Sequence, residues 1–471
     1  RAAQECDSRG GRLKAQVAGE TNAVNRGHVH PQYQEAQQEI LARAGESIIH
    51  PTLDRMRAAM DLLGNPQANY RVIHVTGTNG KTSTARMIDS LLRERQLRVG
   101  RYTSPHLKSM RERIVIDGEP VSEQAFADLY ADVLPYIRMV DEQSDVPMSF
   151  FEVLTVMAYA AFADAPVDVA VVEVGMGGAW DATNVVEADV AVVTPIAVDH
   201  TDYLADTVEG IAEEKAGIIK PGSVAVLAQQ TLPAARTLLR RASEVGAQVA
   251  REGMEFGVVH RDLAVGGQQI ALKGLHAGYD GIFLPLFGTH QASNAAVAVA
   301  AVEAFAAPTE GEEGLDPELV RAALAKTSSP GRLEIMRTSP TVLVDAAHNP
   351  AGMTVTADAV REAFTFDRLV GVVAVLADKD AEGILEPLEP LLDEIVVTAN
   401  SSPRALPPEQ LREIAEDVFG PDRVHLAARL DDAIELAVTL AERDAEFGGA
   451  GVLVTGSVVT AGDAAHLMKK E

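Results

Sequence analysis

The stretch that decides the expected fold is Val75-Thr-Gly-Thr-Asn-Gly-Lys-Thr-Ser83. An apolar run beginning at Arg71 leads into it, and a helical pattern through Leu92 follows it. A glycine-rich loop between a strand and a helix turns its N–H groups and the helix N-terminus toward a phosphate. In such a loop Lys81 reaches the β- and γ-phosphates and the Thr82 hydroxyl faces Mg²⁺. The stretch therefore predicts a nucleotide-binding loop.

The loop departs from the strict phosphate-loop pattern at one position. That pattern has glycine five residues before Gly80, where this chain has Val75. Taken alone, the loop is also compatible with a glycine-rich turn that carries a solvated lysine. The strand before it and the helix after it favour phosphate binding.

Strand and helix patterns alternate along most of the chain, which predicts an α/β fold with doubly wound, mainly parallel sheets. The first set of β-branched runs comprises Val167–Val174, Val190–Pro195 and Val224–Ala228. Between about Ala250 and Leu286 short strands punctuated by glycine predict a small antiparallel subdomain. The second alternating set comprises Thr341–Val344, Leu369–Leu376, Ile395–Thr398 and Val452–Thr455.

These patterns predict three segments. Residues 1–30 are polar, rich in glycine and without periodicity, so we expect a flexible N-terminal arm. Residues 31–328 form a P-loop-type domain with the antiparallel subdomain, and residues 329–471 form a Rossmann-like α/β domain. The boundary falls near Ser328–Arg332.

Composition narrows the classes of function. The formal net charge is −27, which opposes non-specific binding to nucleic acids or anionic membranes. Cys6 is the only cysteine, so an intrachain disulfide or a multi-cysteine zinc site is excluded. The first residues lack an apolar signal core, and the run Val153–Ala163 is too short to cross a bilayer. We expect a soluble, cytoplasmic protein that binds no nucleic acid and no membrane.

The phosphate loop resembles the variant shared by Mur ligases and the folylpolyglutamate synthase/dihydrofolate synthase enzymes. The folate enzymes usually have glycine at the position of Thr82, and threonine there is the choice of the Mur ligases. The loop alone therefore favours the peptidoglycan branch.

Further segments, which lie in order from about Thr52 to Ser457, resemble the folate enzymes instead. They are Ser104-Pro-His-Leu, Glu112-Arg-Ile, Ser149-Phe-Phe-Glu-Val-Leu-Thr, Val172-Glu-Val-Gly-Met-Gly-Gly, Asp181-Ala-Thr-Asn, Asp199-His-Thr-Asp-Tyr-Leu, Glu214-Lys-Ala-Gly-Ile-Ile-Lys, His290-Gln with Asn294, Pro330-Gly-Arg, Asp345-Ala-Ala-His-Asn-Pro and Leu376-Ala-Asp-Lys-Asp. On these motifs the chain is identified as a member of the folylpolyglutamate synthase/dihydrofolate synthase family of the Mur ligase superfamily. It departs from the family pattern at Ala179-Trp180, at Ala346 and at Val458-Val459.

The resemblance implies a set of functional residues. Those expected to bind ATP are Thr78, Asn79, Gly80, Lys81, Thr82, Ser83, Asn294, Arg332 and Asp345. Those expected to take part in catalysis are Lys81, Lys215, Asp345 and His348. Phe150 and Phe151 lie on the folate side, while His348 and Ser457 lie on the glutamate side. The first domain then binds ATP and folate, and the second is the glutamate ligase domain.

The resemblance also implies a metal site and a modified lysine. Ser104, Glu173 and His200 are expected to bind Mg²⁺, with K⁺ as a further candidate cation. Mg²⁺ prefers oxygen ligands and keeps several waters, so few protein ligands suffice. Lys215 matches a lysine that is commonly carbamylated in this family. Its sequence context, a helix with neighbouring glutamates, is equally that of a surface lysine.

The expected function is ATP-dependent ligation of L-glutamate to tetrahydrofolate through an acyl phosphate, by a monomer whose partners are small molecules. Use of dihydropteroate as a second acceptor stays open. One alternative is a Mur-type ligase that adds an amino acid to a UDP-muramoyl precursor. The other is a nucleotide-binding protein without catalysis.

Overall fold

A computed structural model of the chain describes residues 30–45, 50–199, 203–306, 314–443 and 449–468. The expected arm at residues 1–30 lies outside these ranges except for His30, and so do Cys6 and His200.

The first lobe contains nine helices and eleven strands within the described residues. In chain order they are α1 (Pro31–Leu41), α2 (Asp54–Leu62), β1 (Arg71–Thr76), α3 (Lys81–Glu94), β2 (Val99–Tyr102), β3 (Ile114–Ile116), β4 (Glu119–Pro120), α4 (Glu123–Gln143), α5 (Phe150–Asp164), β5 (Val169–Glu173), β6 (Val190–Val193), α6 (Val208–Ala216), β7 (Val224–Leu227), α7 (Leu232–Val245), β8 (Gln248–Arg251), β9 (Gly257–Ala264), β10 (Gly267–Lys273), β11 (Gly278–Leu284), α8 (Thr289–Ala306) and α9 (Pro317–Ala325).

Eight of these strands form the large sheet, in the order β4-β3-β2-β5-β1-β6-β7-β8. The strands from β2 to β8 in this order are parallel, and β3 and β4 add antiparallel strands at one edge. Strands covered on both faces are apolar throughout, and β5 is buried at every residue. The chain passes from one side of β1 to the other between β5 and β6. The loops after β1, β5 and β6 therefore meet at one carboxyl edge, where open α/β sheets bind ligands.

A separate antiparallel sheet has the order β11-β10-β9. The sequence placed its start near Ala250, whereas β8, which contains Ala250, pairs in parallel with β7 in the large sheet. Ala250 is buried there, so the apolar contacts of β8 belong to the large sheet. The antiparallel subdomain itself begins at Gly257 and is as expected.

Helix α8 holds the small sheet against the rest of the lobe. From Ala295 to Val302 its residues are all alanine or valine, and they are fully buried. Glu303 on this helix accepts a hydrogen bond from the Tyr279 hydroxyl of β11 at 2.7 Å. A single helix thus packs against α3 on one side and the small sheet on the other.

The second lobe repeats the α/β plan with its own sheet. Its elements are β12 (Glu334–Thr338), β13 (Thr341–Val344), α10 (Pro350–Ala363), β14 (Arg368–Val373), α11 (Ala381–Leu385), β15 (Glu394–Val397), α12 (Pro408–Phe419), β16 (Val424–Leu426), α13 (Leu430–Glu442), β17 (Ala450–Thr455) and α14 (Val458–Met468). The strand order is β12-β13-β17-β14-β15-β16, with β12 antiparallel and the others parallel.

The fold class predicted from the sequence is confirmed: two α/β lobes with mainly parallel sheets and one small antiparallel sheet. The expected domain boundary at 328/329 falls in the connection between α9 and β12 and stays a prediction. None of the described helices combines the length and apolar character needed to span a bilayer.

Replacing Ile73 by alanine should destabilise the first lobe. Ile73 is fully buried on β1, between Val171 of β5 and Val190 of β6. Loss of the side chain leaves a cavity, and we expect the free energy of unfolding to fall by about 2–5 kcal/mol. Urea denaturation followed by circular dichroism measures the change. Val259→Ala, at a side chain that is 68% exposed, is the control and should stay within about 0.5 kcal/mol of wild type. Equal losses in both variants would contradict this packing.

Candidate active site

The phosphate loop depends on two glycines with positive φ. Gly77 has φ 142° and Gly80 has φ 92°. A Cβ at Gly77 would lie 1.9 Å from Oγ1 of Thr194, and one at Gly80 would lie 2.6 Å from Oδ1 of Asn294. Glycine is therefore required both by backbone conformation and by space. Asn294, expected on the ATP side, packs directly against the loop.

Lys81 is the first residue of α3, and its ammonium folds back over the loop. Nζ donates hydrogen bonds to the carbonyls of Gly77 and Thr78, each at 3.0 Å. Burial lowers the pKa of Lys81, and the carboxylate of Glu173 opposes that shift. The loop places Thr78 against the chain after β6, where its hydroxyl donates to the Ala197 carbonyl at 2.9 Å.

Glu173, Thr82 and Ser104 come together at the end of β5. One Glu173 oxygen accepts from the Thr82 hydroxyl at 2.7 Å, and the other accepts from the Ser104 N–H at 3.3 Å. Glu173 is 1% exposed, and burial raises its pKa while Lys81 opposes the shift. The structure thus brings together two of the three expected metal ligands.

The chemistry of this cluster fits Mg²⁺. Among the residues that the structure describes, no group of three or more His, Cys, Asp and Glu side chains is placed to hold a metal ion. Mg²⁺ does not need such a group, since it is held by one or two carboxylates together with waters and substrate phosphates. The Glu173 carboxylate beside the Thr82 hydroxyl meets this requirement. The expected ligand His200 lies outside the described residues.

Lys215 is buried beneath the loop rather than exposed on its helix. The side chain is on α6, the residue is 4% exposed, and Nζ donates to the Gly77 carbonyl at 2.9 Å. Burial, followed by repulsion from Lys81, lowers the pKa of Lys215 to about 7. The alternative of a surface lysine is therefore wrong, and the amine is partly neutral near pH 7.

The second lobe presents Asp345 and His348 from the turn after β13. Asp345 is 4% exposed, and its carboxylate accepts from the N–H groups of Leu333 and Ala347, each at 2.9 Å. The carboxylate therefore fixes the backbone next to Arg332. Nε2 of His348 lies 3.8 Å from the Asp199 carboxylate, and burial lowers the pKa of His348 while Asp199 opposes the shift.

Other predicted residues take structural contacts. The Ser83 hydroxyl lies 2.9 Å from that of Ser329 in the connection to the second lobe. The Ser457 hydroxyl is 1% exposed and is bonded to Asn400 at 3.1 Å and Thr460 at 2.8 Å. These two partners already bond to the Ser457 hydroxyl. The expected contact of Ser457 with the amino acid stays a prediction.

The two phenylalanines begin α5 at the same edge of the sheet. Ser149 caps the helix reciprocally with Glu152, which fixes where the chain enters it. The Phe151 ring lies 5.9 Å from that of Tyr102 and fills the space left by Gly175 in the loop after β5. The Arg113 guanidinium stands 5.0 Å over the Phe150 ring. The side of the site that we expect to bind folate is therefore next to the loop after β5, which follows Glu173.

Sequence reasoning missed the contacts that join the lobes across the site. Asp199, which follows β6, accepts from Lys379 Nζ at 2.7 Å and from the Asn349 amide at 2.8 Å. Asn349 also exchanges amide hydrogen bonds with Asn79 of the phosphate loop, at 3.2 and 3.3 Å. The motifs that contain these residues were recognised, but nothing in a sequence shows that positions so far apart will pair.

Two protein-family models match the chain and agree with its two lobes. The Mur ligase middle domain matches residues 75–302, and the Mur ligase glutamate ligase domain matches residues 331–458. The fold and the site therefore define a ligase of the Mur type.

Individual relatives narrow this class. The dihydrofolate synthase/folylpolyglutamate synthase of Mycobacterium tuberculosis is 51% identical over 447 residues, covering 90% of this chain and 92% of that protein. The solved M. tuberculosis folylpolyglutamate synthase complexed with ADP has a TM-score of 0.89 at 50% identity, over 93% of this chain and 99% of that chain. Escherichia coli FolC in complex with DHPP and ADP has a TM-score of 0.80 at 31% identity, over 94% and 97%. The chain belongs to the folylpolyglutamate synthase/dihydrofolate synthase family, as the sequence motifs predicted.

Replacing Lys81 by alanine should weaken nucleotide binding. The ammonium lies within the loop that holds phosphate, and losing a hydrogen bond between charged partners costs roughly tenfold or more in affinity. Titration calorimetry with ADP measures the dissociation constant. Lys326→Ala removes an exposed lysine that pairs with Glu94 and is the matched control, with unchanged affinity expected. Wild-type affinity for ADP in Lys81→Ala would show that Lys81 and its loop do not bind the nucleotide.

Proposed function

We propose that the protein joins L-glutamate to a reduced folate, tetrahydrofolate, with ATP as the energy source and an acyl phosphate as the intermediate. The observation that carries this proposal is the convergence of Lys81, Lys215 and the Thr82–Glu173 pair on one loop, opposite Arg332 and His348 of the second lobe. In a chain with a net charge of −27, Lys81 and Arg332 provide local positive charge where two anions, a phosphate and a carboxylate, must meet.

The reaction requires two displacements. A carboxylate oxygen of the acceptor attacks the γ-phosphorus, the bond to the β-phosphate oxygen breaks, and ADP leaves. The glutamate amine then attacks the acyl carbon, the carbon–oxygen bond to phosphate breaks, and an amide forms. Loop amides, Lys81 and Arg332 bind the phosphates, while Thr78, Asn79, Gly80, Thr82 and Ser83 shape the loop. Glu173, Thr82 and Ser104 would hold Mg²⁺, and the ion would supply charge neutralisation.

His348 is suited to act on the incoming amine. Burial keeps its imidazole neutral at pH 7, so a ring nitrogen can accept a proton that the ammonium of glutamate must lose. Asp345 acts through the backbone, because it binds the N–H groups of Leu333, next to Arg332, and of Ala347, in the turn that carries His348. We place the glutamate between this turn and the phosphate loop, with Ser457 on the same side.

Contact between the lobes excludes water from the acyl phosphate, which water would hydrolyse. Asn79 and Asp199 of the first lobe both bond to Asn349, the N-cap residue of α10. The reacting groups therefore lie where the lobes are held together. We assign residues 31–328 to ATP and folate, with Phe150 and Phe151 on the folate side, and residues 329–471 to glutamate.

A second acceptor, dihydropteroate, is part of the proposal. The M. tuberculosis and Bacillus subtilis relatives carry the double name dihydrofolate synthase/folylpolyglutamate synthase, at 51% and 34% identity. The Mur-type alternative rests on Thr82, and the relatives favour folate. Intact Lys81, Glu173, Lys215, Asp345 and His348 argue against a binding protein without catalysis. We further propose that the chain works as a monomer on small molecules.

ADP release tests the proposed function. Purified protein with ATP, Mg²⁺ and L-glutamate should turn over when tetrahydrofolate is added, and dihydropteroate tests the second activity. A UDP-muramoyl peptide is the control acceptor and should give no turnover. Release of ADP with the muramoyl peptide alone would reject the folate acceptor, and nucleotide binding without turnover on any acceptor would reject ligation.

We propose that Lys215 carries a carbamate. Lys81 and Lys215 donate to the same carbonyl, so converting one ammonium into an anion replaces repulsion by attraction. Only a neutral amine reacts with carbon dioxide, and a pKa of about 7 provides it under mild conditions. The resulting carboxylate can also hold the metal.

Lys215→Ala should lower the rate far more than loss of a surface lysine, and bicarbonate or acetate should partly restore it. The neutral fraction of the amine rises with pH through about 7, so carbamate occupancy should increase from pH 6 to pH 8. A ¹³C resonance after incubation with ¹³C-bicarbonate reports occupancy in the wild type, and steady-state rates report activity. Lys273→Ala, at an exposed lysine, is the control. Wild-type rates in Lys215→Ala would contradict the role.

A further inference from the structure

Arg86 stands beside the phosphate loop and has no role in the site described so far. It lies on α3 four residues after Thr82, so the two side chains share one face of the helix. Both line a cleft between the lobes, to which Thr103 and Glu112 contribute from the first lobe and Ser329 and Arg332 from the connection to the second. Arginines from the two sides of the cleft therefore face the same space.

The Arg86 guanidinium lacks a partner within the described part of the chain. Its Nε is shielded from solvent and bonded to nothing, and none of the described carboxylates lies within ion-pair distance. The neighbouring Arg93 and Arg101, by contrast, both pair with Asp89, at 3.1 and 3.0 Å. The Nε of Arg101 is unbonded as well, so the missing carboxylate is what distinguishes Arg86. A largely buried cation without a counterion needs an explanation.

The carboxylate of Glu112 lines the same cleft but is bonded to the backbone instead. It accepts backbone N–H bonds from Leu107, Lys108 and Ser109 at 2.9 to 3.1 Å and thereby shapes the loop that follows Ser104. Burial, and then repulsion from Arg101, lower the pKa of Arg86 to about 10, so the group stays charged at neutral pH. The charge of Arg86 can therefore be balanced by an anion from outside the chain that binds in the cleft.

The position of Arg86 distinguishes the acceptor from the nucleotide. The side of the loop toward Asn294 and Ala197 is the expected base side. Arg86 lies on the other side, against Thr103 and Pro105, one helical turn beyond Thr82. An anion there adjoins the end of the triphosphate that reacts. Carboxylates match the planar fork of arginine, which can donate two parallel hydrogen bonds.

We propose that Arg86 binds the carboxylate of the acceptor that becomes phosphorylated, an inference that rests on the proposed function. Arg86 holds this carboxylate while one of its oxygens forms the bond to the γ-phosphorus and the bond to ADP breaks. It continues to bind the acyl phosphate until the amine displaces phosphate. Arg332 faces the same group from the second lobe, so the anion completes a site built from both lobes.

The test compares Arg86→Ala and Arg86→Lys with the wild type, after the wild type has been shown to release ADP with tetrahydrofolate. We expect kcat/KM for the acceptor to fall roughly 10- to 100-fold in Arg86→Ala. The KM for glutamate and the dissociation constant for ADP should stay at wild-type values. Arg86→Lys keeps the positive charge but lacks the planar guanidinium, so its kcat/KM for the acceptor should lie between those of the wild type and Arg86→Ala. Guanidine hydrochloride at millimolar concentration should partly restore Arg86→Ala, which a purely structural residue would not allow.

Arg138→Ala removes an exposed arginine of α4 and is the matched control, with unchanged kinetics expected. Wild-type kcat/KM for the acceptor in Arg86→Ala would overturn the inference. So would a loss confined to ADP or glutamate, or a loss that guanidine does not relieve. A wild type without turnover would instead reject the proposed function, and the inference with it.

Discussion

Two buried ammonium groups donate to one carbonyl, that of Gly77, and the rest of the site depends on this arrangement. Among the described residues neither lysine has a carboxylate in direct contact, and burial lowers the pKa of both. The first opposing charge for Lys81 is Glu173, whose oxygens are already bonded to Thr82 and Ser104, and for Lys215 it is Asp199. Positive charge concentrated in this way is stabilised by an anion, and the triphosphate of ATP is the anion that we propose for this loop.

The fold supports this arrangement by bringing three strand ends to one edge. β1 leads to the phosphate loop, β5 ends at Glu173, and β6 leads to Asp199. The sheet is closely packed around β1, and α8 holds Asn294 against Gly80. Electrostatic strain can persist at this edge because apolar burial elsewhere stabilises the lobe.

Sequence patterns predicted the local parts of this structure well. The loop at Val75–Ser83, its flanking strand and helix, and the alternation of both lobes follow from periodicity and glycine chemistry. The burial of Lys215 was not predictable from periodicity, since a lysine between glutamates is typical of a solvated helix face. The pairing of Asp199 with Lys379 and the unpaired state of Arg86 depend on how distant segments pack. The edge position of β8 was misjudged because Ala250 is followed by glycine-punctuated strands.

The asparagine pair that joins Asn79 to Asn349 has a consequence for thermodynamic linkage. Asn79 lies in the phosphate loop. Asn349 follows His348 and is the N-cap residue of α10. These two hydrogen bonds therefore connect the phosphate loop with the part of the second lobe that we propose for the amino acid. Coupling free energy is reciprocal, so whatever the first ligand does to the affinity for the second, the second does equally to the first. The contact surface between the lobes is then the physical origin of any coupling between the two affinities.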